Sequence, residues 1–174
     1  MAERFAIYYA PDRTSTLWRR SAEWLGRDAA AQTFLKQPEF RDIPGDEFAE
    51  ATKSPRRYGF HATLKPPMRL AAGVDLERLK AVARALSARL TATPIGRMWI
   101  EVIDGFLAIV PVSQSTALTR LAADCVDCFE PLRAPLEVEE RRERMSPGLN
   151  EAHAHLLDLY GFPYAMDQFR MHLT

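Results

Sequence analysis

Residues 97–112, RMWIEVIDGFLAIVPV, constrain the fold more than any other stretch of this chain. Two apolar, β-branched runs flank Asp104-Gly105, a dipeptide whose positive φ values suit a tight two-residue turn. The segment reads as a β-hairpin, and an antiparallel hairpin argues against a purely parallel, doubly wound sheet. The rest of the chain alternates irregularly between strand-like and helix-like text. Residues 4–10, RFAIYYA, are aromatic and apolar, and predict an opening, central strand closed by Pro11. STLWRRSAEWLGRD carries Leu17, Trp18, Ala22 and Leu25 at helical spacing, with Gly26 placed to stop the helix. Residues 40–57, FRDIPGDEFAEATKSPRR, predict a loop-rich connector with at most one short helical piece.

Residues 75–90, DLERLKAVARALSARL, have Asp75 at the cap position and good helix formers throughout. STALTRLAADCVDCFEPL predicts a helix opened by Ser113 or Ser115. EVEERRERM predicts a charged, solvated helix with i,i+4 pairs such as Glu137 with Arg141. LNEAHAHLLDLYGFP predicts a helix stopped by Gly161, and DQFRMHLT a final strand. Without a short-period repeat, the expected class is α+β, with antiparallel sheets flanked by helices.

Composition bounds the function. The 174 residues are 47% hydrophobic and 26% charged, enough apolar material for a core. The 23 basic residues balance the 23 acidic ones, so no overall field favours nucleic acid or an anionic membrane, and any anion preference must be local. The first apolar run is too short for a signal-peptide core or a membrane span, which predicts a cytoplasmic protein. Cys125 and Cys128 stand in CVDC within a helical stretch, with no second pair at zinc-site spacing. They read as packed thiols, and neither a metal nor a cofactor is called for.

The chemistry concentrates in RRYGFHATLKPP. On a strand, His61, Thr63 and Lys65 fall on one side and Phe60, Ala62 and Leu64 on the other. An imidazole, a hydroxyl and a fixed positive charge in a row form a phosphate-handling set. The pattern returns in FRMHLT, where Arg170, His172 and Thr174 share a side. Two copies of base-x-hydroxyl predict two similar halves facing one another across a cleft. Arg57 and Tyr58 precede the first copy and join Lys65 and Arg170 as expected substrate-binding residues. Arg56 and Arg69 are candidates for extending the anionic site to a second phosphate. His153 and His155, two apart on a helix, point in different directions and read as structural or surface residues.

HATL and HLT resemble the two signature motifs of the two-histidine (2H) phosphoesterase superfamily. The longer wording of RFAIYYAP, LWRRSAEWLGRD, RRYGFHATLKPP and LNEAHAHLLDLYGFPYAMDQFRMHLT resembles its phosphonate-metabolism-associated bacterial subfamily. The resemblance implies a bilobal fold with His61 and His172 as the catalytic pair and Thr63 and Thr174 as donors to phosphate oxygens. It implies metal-independent hydrolysis of a cyclic phosphodiester, one imidazole acting as base and the other as acid. A ribose cyclic phosphate of phosphonate catabolism is the candidate substrate. Two alternatives stand beside it: an RNA-end or 2′,3′-cyclic-nucleotide phosphodiesterase, and a non-catalytic phosphometabolite-binding protein. The expected partner is a small phosphorylated metabolite, with no membrane, and with nucleic acid only as a short or cyclic nucleotide.

The resemblance also predicts one bilobal domain cut short at its C-terminus. Lobe one covers about 1–112, and a helical connector with the start of lobe two about 113–174. A terminal strand lacking a neighbour on each side is expected to fray, which leaves the activity of this chain open.

Overall fold

Helix ends follow their caps in the computed structural model of the chain, which describes residues 3–145 and 148–174. Ser15 accepts a hydrogen bond from Trp18 N–H to open α1 (Thr16–Leu25), and Gly26, at φ 75°, closes it. Asp75 caps α4 (Leu76–Ser87) through Arg78 N–H, and Ser115 caps α5 (Thr116–Phe129) through Leu118 N–H. Asn150 opens α7 (Glu151–Tyr160), and Gly161, at φ 70°, ends it. The hairpin forms as expected from β5 (Met98–Ile103) and β6 (Phe106–Pro111), with Asp104 at φ 47° and Gly105 at φ 87°.

The connector differs from expectation. It contains both α2 (Gly45–Ala51) and α3 (Lys53–Tyr58), joined at Thr52. Pro55 lies in the first turn of α3, where its missing N–H is not needed, so the proline that reads as a breaker is compatible with the helix. Two short strands, β2 (Arg27–Asp28) and β3 (Thr33–Phe34), form an antiparallel ladder that has no periodic signal in the sequence. The first strand, β1 (Phe5–Tyr9), pairs with β4 (Ala62–Met68) in a two-stranded ladder. The expected central strand therefore has a single ladder neighbour among the described residues.

The class is α+β, with small antiparallel sheets and seven α-helices among the described residues. No described helix is long and apolar enough to cross a membrane.

The chain divides into two compact units that interleave along the sequence. One takes the residues up to Tyr8, Thr63–Trp99 and Val110–Met171. Its core is the buried face of α5, with Leu118, Ala122, Cys125, Val126 and Phe129, packed on α4 and on the turn at Met166–Gln168. Burial pushes the Cys125 thiol up to about 11, which keeps it protonated and inert, in keeping with a packed thiol.

Lys65 departs from the expected solvent-facing row: it is wholly buried in this unit. Its ammonium lies 2.5 Å from Glu130 Oε2, and Arg133 Nε donates to Glu130 Oε1 at 2.7 Å. Burial pulls the lysine's pKa down, and the Glu130 carboxylate opposes that pull. The charged helix α6 (Val138–Arg144) is likewise no mere solvated face. Glu140 binds Arg4 at 2.7 Å and Arg69 at 2.9 Å, and Arg141 binds Asp158 rather than Glu137. Arg144 donates to the carbonyls of Gly161 and Pro67. Arg69 is thus committed to Glu137 and Glu140, not to a second phosphate.

The other unit takes Tyr9–Ala62, Ile100–Ile109 and His172–Thr174. Trp24, Phe40 and Phe48 meet edge to face, with ring centroids 4.8 to 5.7 Å apart. Arg56 ties the helices together. It donates to the carbonyls of Leu25 and Ala49 and to the side chains of Gln37 and Thr52, so its guanidinium is structural. Gly59, at φ 78° and ψ 171°, occupies backbone space open essentially to glycine. A Cβ on it would come within 2.4 Å of Ala29 Cβ.

Two stability measurements follow. Glu130→Ala strands two cations in the first unit and is expected to lower the denaturant-unfolding free energy by about 3–5 kcal/mol. Lys65→Met leaves Glu130 paired with Arg133 and is expected to lose less than half as much. Gly59→Ala is expected to lose about 1–3 kcal/mol, and adding Ala29→Gly recovers part of it, because the clash is relieved and the backbone strain is not.

Candidate functional site

The site grows from a pair of backbone hydrogen bonds. His61 N–H donates to Thr174 C=O at 3.1 Å, and Thr174 N–H donates to His61 C=O at 3.1 Å. The preceding residue bonds the other way: Leu173 and Ile109 exchange both of their bonds, each at 2.9 Å. This alternation is that of an extended segment with neighbours on both sides. The terminal segment is therefore hydrogen-bonded along both edges, contrary to the expected fraying.

Residues that exchange both backbone bonds across an antiparallel pair present their side chains on the same face, with Cα atoms about 5.5 Å apart. Thr174 and His172, two apart on this extended segment, also share a face. His61, Thr174 and His172 thus stand together, while Leu173 is buried on the opposite side. His61 of the first H-x-T segment thus joins His172 and Thr174 of the second.

Each imidazole lies beside an aromatic ring. Tyr58 is 6.4 Å from His61, and Phe106 is 6.0 Å from His172, centroid to centroid. The Arg57 guanidinium lies 5.6 Å from the Tyr58 ring centroid, within cation–π range. Both Arg57 and Tyr58 are exposed. The Arg57 carbonyl accepts from Arg27 at 2.8 Å, which anchors the end of α3.

The His61 ring is oriented by Gly59, whose carbonyl lies 2.8 Å from Nδ1. A carbonyl only accepts, so Nδ1 carries hydrogen and the neutral ring has its lone pair at Nε2. Burial lowers the His61 pKa below the ordinary histidine value. The Gly59 hydrogen bond opposes that shift, and the nearby His172 adds to it. At neutral pH His61 is accordingly neutral, a base next to a second imidazole.

Thr63 belongs to the first unit and lines a small hollow there with Pro66, Phe162, Tyr164 and Phe169. Lys65 is spent on Glu130, and Arg170 is an exposed residue of the first unit. His153 Nδ1 accepts from Asn150 N–H in the capping box of α7, and its ring packs 5.3 Å from Tyr164, in keeping with a structural role. Phe106 and Gly59 were not singled out from sequence. Gly59 sits inside the YGFH text, and Phe106 directly follows the hairpin turn, but neither position declares its neighbour in space. A larger, open hollow in the second unit, about 470 Å³, is lined by residues 38–45 with Phe48 and has no histidine in its lining. Among the described residues no three His, Cys, Asp or Glu side chains converge as a metal site would require.

Two curated relatives cover nearly all of this chain. One, from Janthinobacterium sp. (strain Marseille), is named ribose 1,5-bisphosphate phosphokinase PhnN and is 36% identical over 171 residues, 98% of this chain and 38% of its own length. The other, from Laribacter hongkongensis (strain HLHK9), has the same name and is 32% identical over 177 residues, 98% of this chain and 39% of its own. The chain therefore spans about two-fifths of the relatives it matches. Their naming fits the phosphonate-associated part of the resemblance. It overturns the expected phosphoric diester hydrolase and the cyclic-nucleotide phosphodiesterase alternative, because these relatives are named for a kinase reaction on a sugar bisphosphate and not for cleavage of a cyclic diester. No solved structure matches significantly. A family described as protein of unknown function, DUF1045, matches residues 63–174, more than half of the sequence, and the chain belongs to that family.

Proposed function

We propose that this chain is the ligand-holding part of a ribose 1,5-bisphosphate phosphokinase-like protein of phosphonate-associated metabolism, and that the His61, His172 and Thr174 face grips a phosphate of the sugar bisphosphate. The observation that carries the reading is the reciprocal backbone pair between His61 and Thr174, which brings both imidazoles and a hydroxyl to one side of a strand pair. The kinase name of the relatives supplies the ligand class. The bilobal two-histidine arrangement belongs to this proposal as a scaffold for holding phosphate, and a cytoplasmic setting goes with a small phosphorylated sugar as partner.

A phosphate monoester carries close to two negative charges at neutral pH, with three acceptor oxygens. Thr174 donates its hydroxyl to one of them. His61 begins neutral, and a bound dianion favours its imidazolium, so binding draws a proton onto Nε2 and turns that nitrogen into a donor. His172 completes the clamp from the neighbouring strand. Arg57, lying against Tyr58, is the cation that meets the second phosphate. The clamp fixes the sugar in place for phosphoryl transfer, a reaction whose catalysis rests largely on positioning and charge stabilisation.

Calorimetric titration with ribose 1,5-bisphosphate tests this. Saturable binding is expected, tightening up to about tenfold per unit as the pH is lowered from about 8 to 6.5, with proton uptake visible as a buffer-dependent heat. His61→Gln and His172→Gln are each expected to weaken binding by at least about tenfold, and His61→Gln to flatten the pH dependence. Arg57→Gln is expected to weaken the bisphosphate more than ribose 5-phosphate. No saturation at about millimolar ligand, or binding indifferent to both histidine substitutions, contradicts the proposal.

A further inference from the structure

A bare apolar surface lies on the β5–β6 hairpin, where Ile100 is 69% exposed, Val102 65% and Leu107 56%. The register says which way this surface faces. The two-residue turn at Asp104-Gly105 pairs Ile103 with Phe106 in the bonded positions of the ladder. The bond from Val112 N–H to Arg97 C=O, at 2.8 Å, has the same parity. Positions 97, 99, 101 and 103 therefore bond inward to β6, and the backbone groups of Met98, Ile100 and Val102 point outward from the edge. The side chains of Ile100 and Val102 stand on one face with Leu107, which lies opposite Val102.

Natural edge strands are guarded by lysine, proline, bulges or shortness. β5 is six residues long, MWIEVI, with one charge and no proline, and its ladder neighbour among the described residues is β6. Such an edge is a template for one more strand.

We propose that this edge joins a second copy of the chain, β5 pairing antiparallel with β5 of the other molecule about a two-fold axis at Ile100. The sequence is self-complementary in that register. Ile100 faces Ile100 of the partner subunit, Met98 faces the partner's Val102, and all six side chains lie on the apolar face. Glu101, the one charge of the strand, falls opposite the partner's Trp99 and not opposite its own counterpart, so no like charges meet. The contact is isologous and closes on itself, giving a dimer and not a filament. It covers the hairpin's exposed apolar face and fills the unpaired backbone positions of the edge in a single step.

Sedimentation velocity on the wild-type chain from about 1 to 100 µM is expected to give a dimer. Ile100→Lys places two cations face to face at the axis and is expected to raise the dissociation constant at least about tenfold. Phe34→Lys, at a residue 80% exposed on β3, is expected to leave it unchanged. Oxidation of Ile100→Cys is expected to yield a covalent dimer, since the paired Cα atoms are about 5.5 Å apart. Val102→Cys, which faces a methionine in this register, and wild type with its native cysteines are expected to stay uncrosslinked. The Ile100→Cys product is read without Ile100→Lys, so a folding failure in the lysine variant does not remove the test. A monomer at every concentration, or a dimer that forms without an Ile100→Cys crosslink, overturns the proposal.

Discussion

The backbone exchange between His61 and Thr174 is the constraint on which the functional reading depends. Each bond is individually modest, about 1 kcal/mol net. Together they fix register, and register fixes which side chains meet. A slip of one residue would turn Thr174 and His172 toward the side now held by Leu173 and put an apolar residue beside His61. The companion exchange between Leu173 and Ile109 guards against that slip by burying Leu173 on the far side. Gly59 supports the same arrangement from just before His61: its unusual backbone conformation aims a carbonyl at Nδ1 and selects the tautomer of the ring.

Two adjacent imidazoles do not define a reaction by themselves. A neutral, partly buried histidine beside another can serve as a base in hydrolysis, or as a proton-accepting grip for a phosphate dianion. The resemblance of the two H-x-T segments to a hydrolase superfamily favoured the first role. The kinase name of relatives aligned along nearly the whole chain favours the second. The same side chains serve either, because holding charge on phosphate oxygens is common to both chemistries.

What was legible in the sequence were features with local causes. Ser15, Asp75, Ser115 and Asn150 cap helices, Gly26 and Gly161 end them, and Asp104-Gly105 turns the hairpin, all because a cap or a turn is set by a few neighbouring residues. The meeting of His61 with His172 was legible for a different reason, the repetition of one pattern at two distant places. Charge was misread wherever the partner lay far along the chain. Lys65 alternates like a solvent-facing residue, and its burial depends on Glu130, sixty-five positions away. Glu140 reads as one more charge on a solvated helix, yet it bridges Arg4 and Arg69. The second helix of the connector, α3, was hidden by Pro55, whose place in a first turn a composition-based reading cannot distinguish from a break. Arg56 followed the same pattern, an arginine near a phosphate-like motif whose donors go to four acceptors of its own unit.

The central claim is that His61 and His172 share one face and that His61 feels the charge of His172. Nitrogen-detected NMR titration of the imidazoles, in the wild type and in His172→Gln, tests it most directly. The account predicts an Nδ1–H tautomer for His61, a pKa below the ordinary value of about 6.5, and an upward move when His172 is replaced. A His61 that titrates at the ordinary value and ignores the loss of His172 would contradict it.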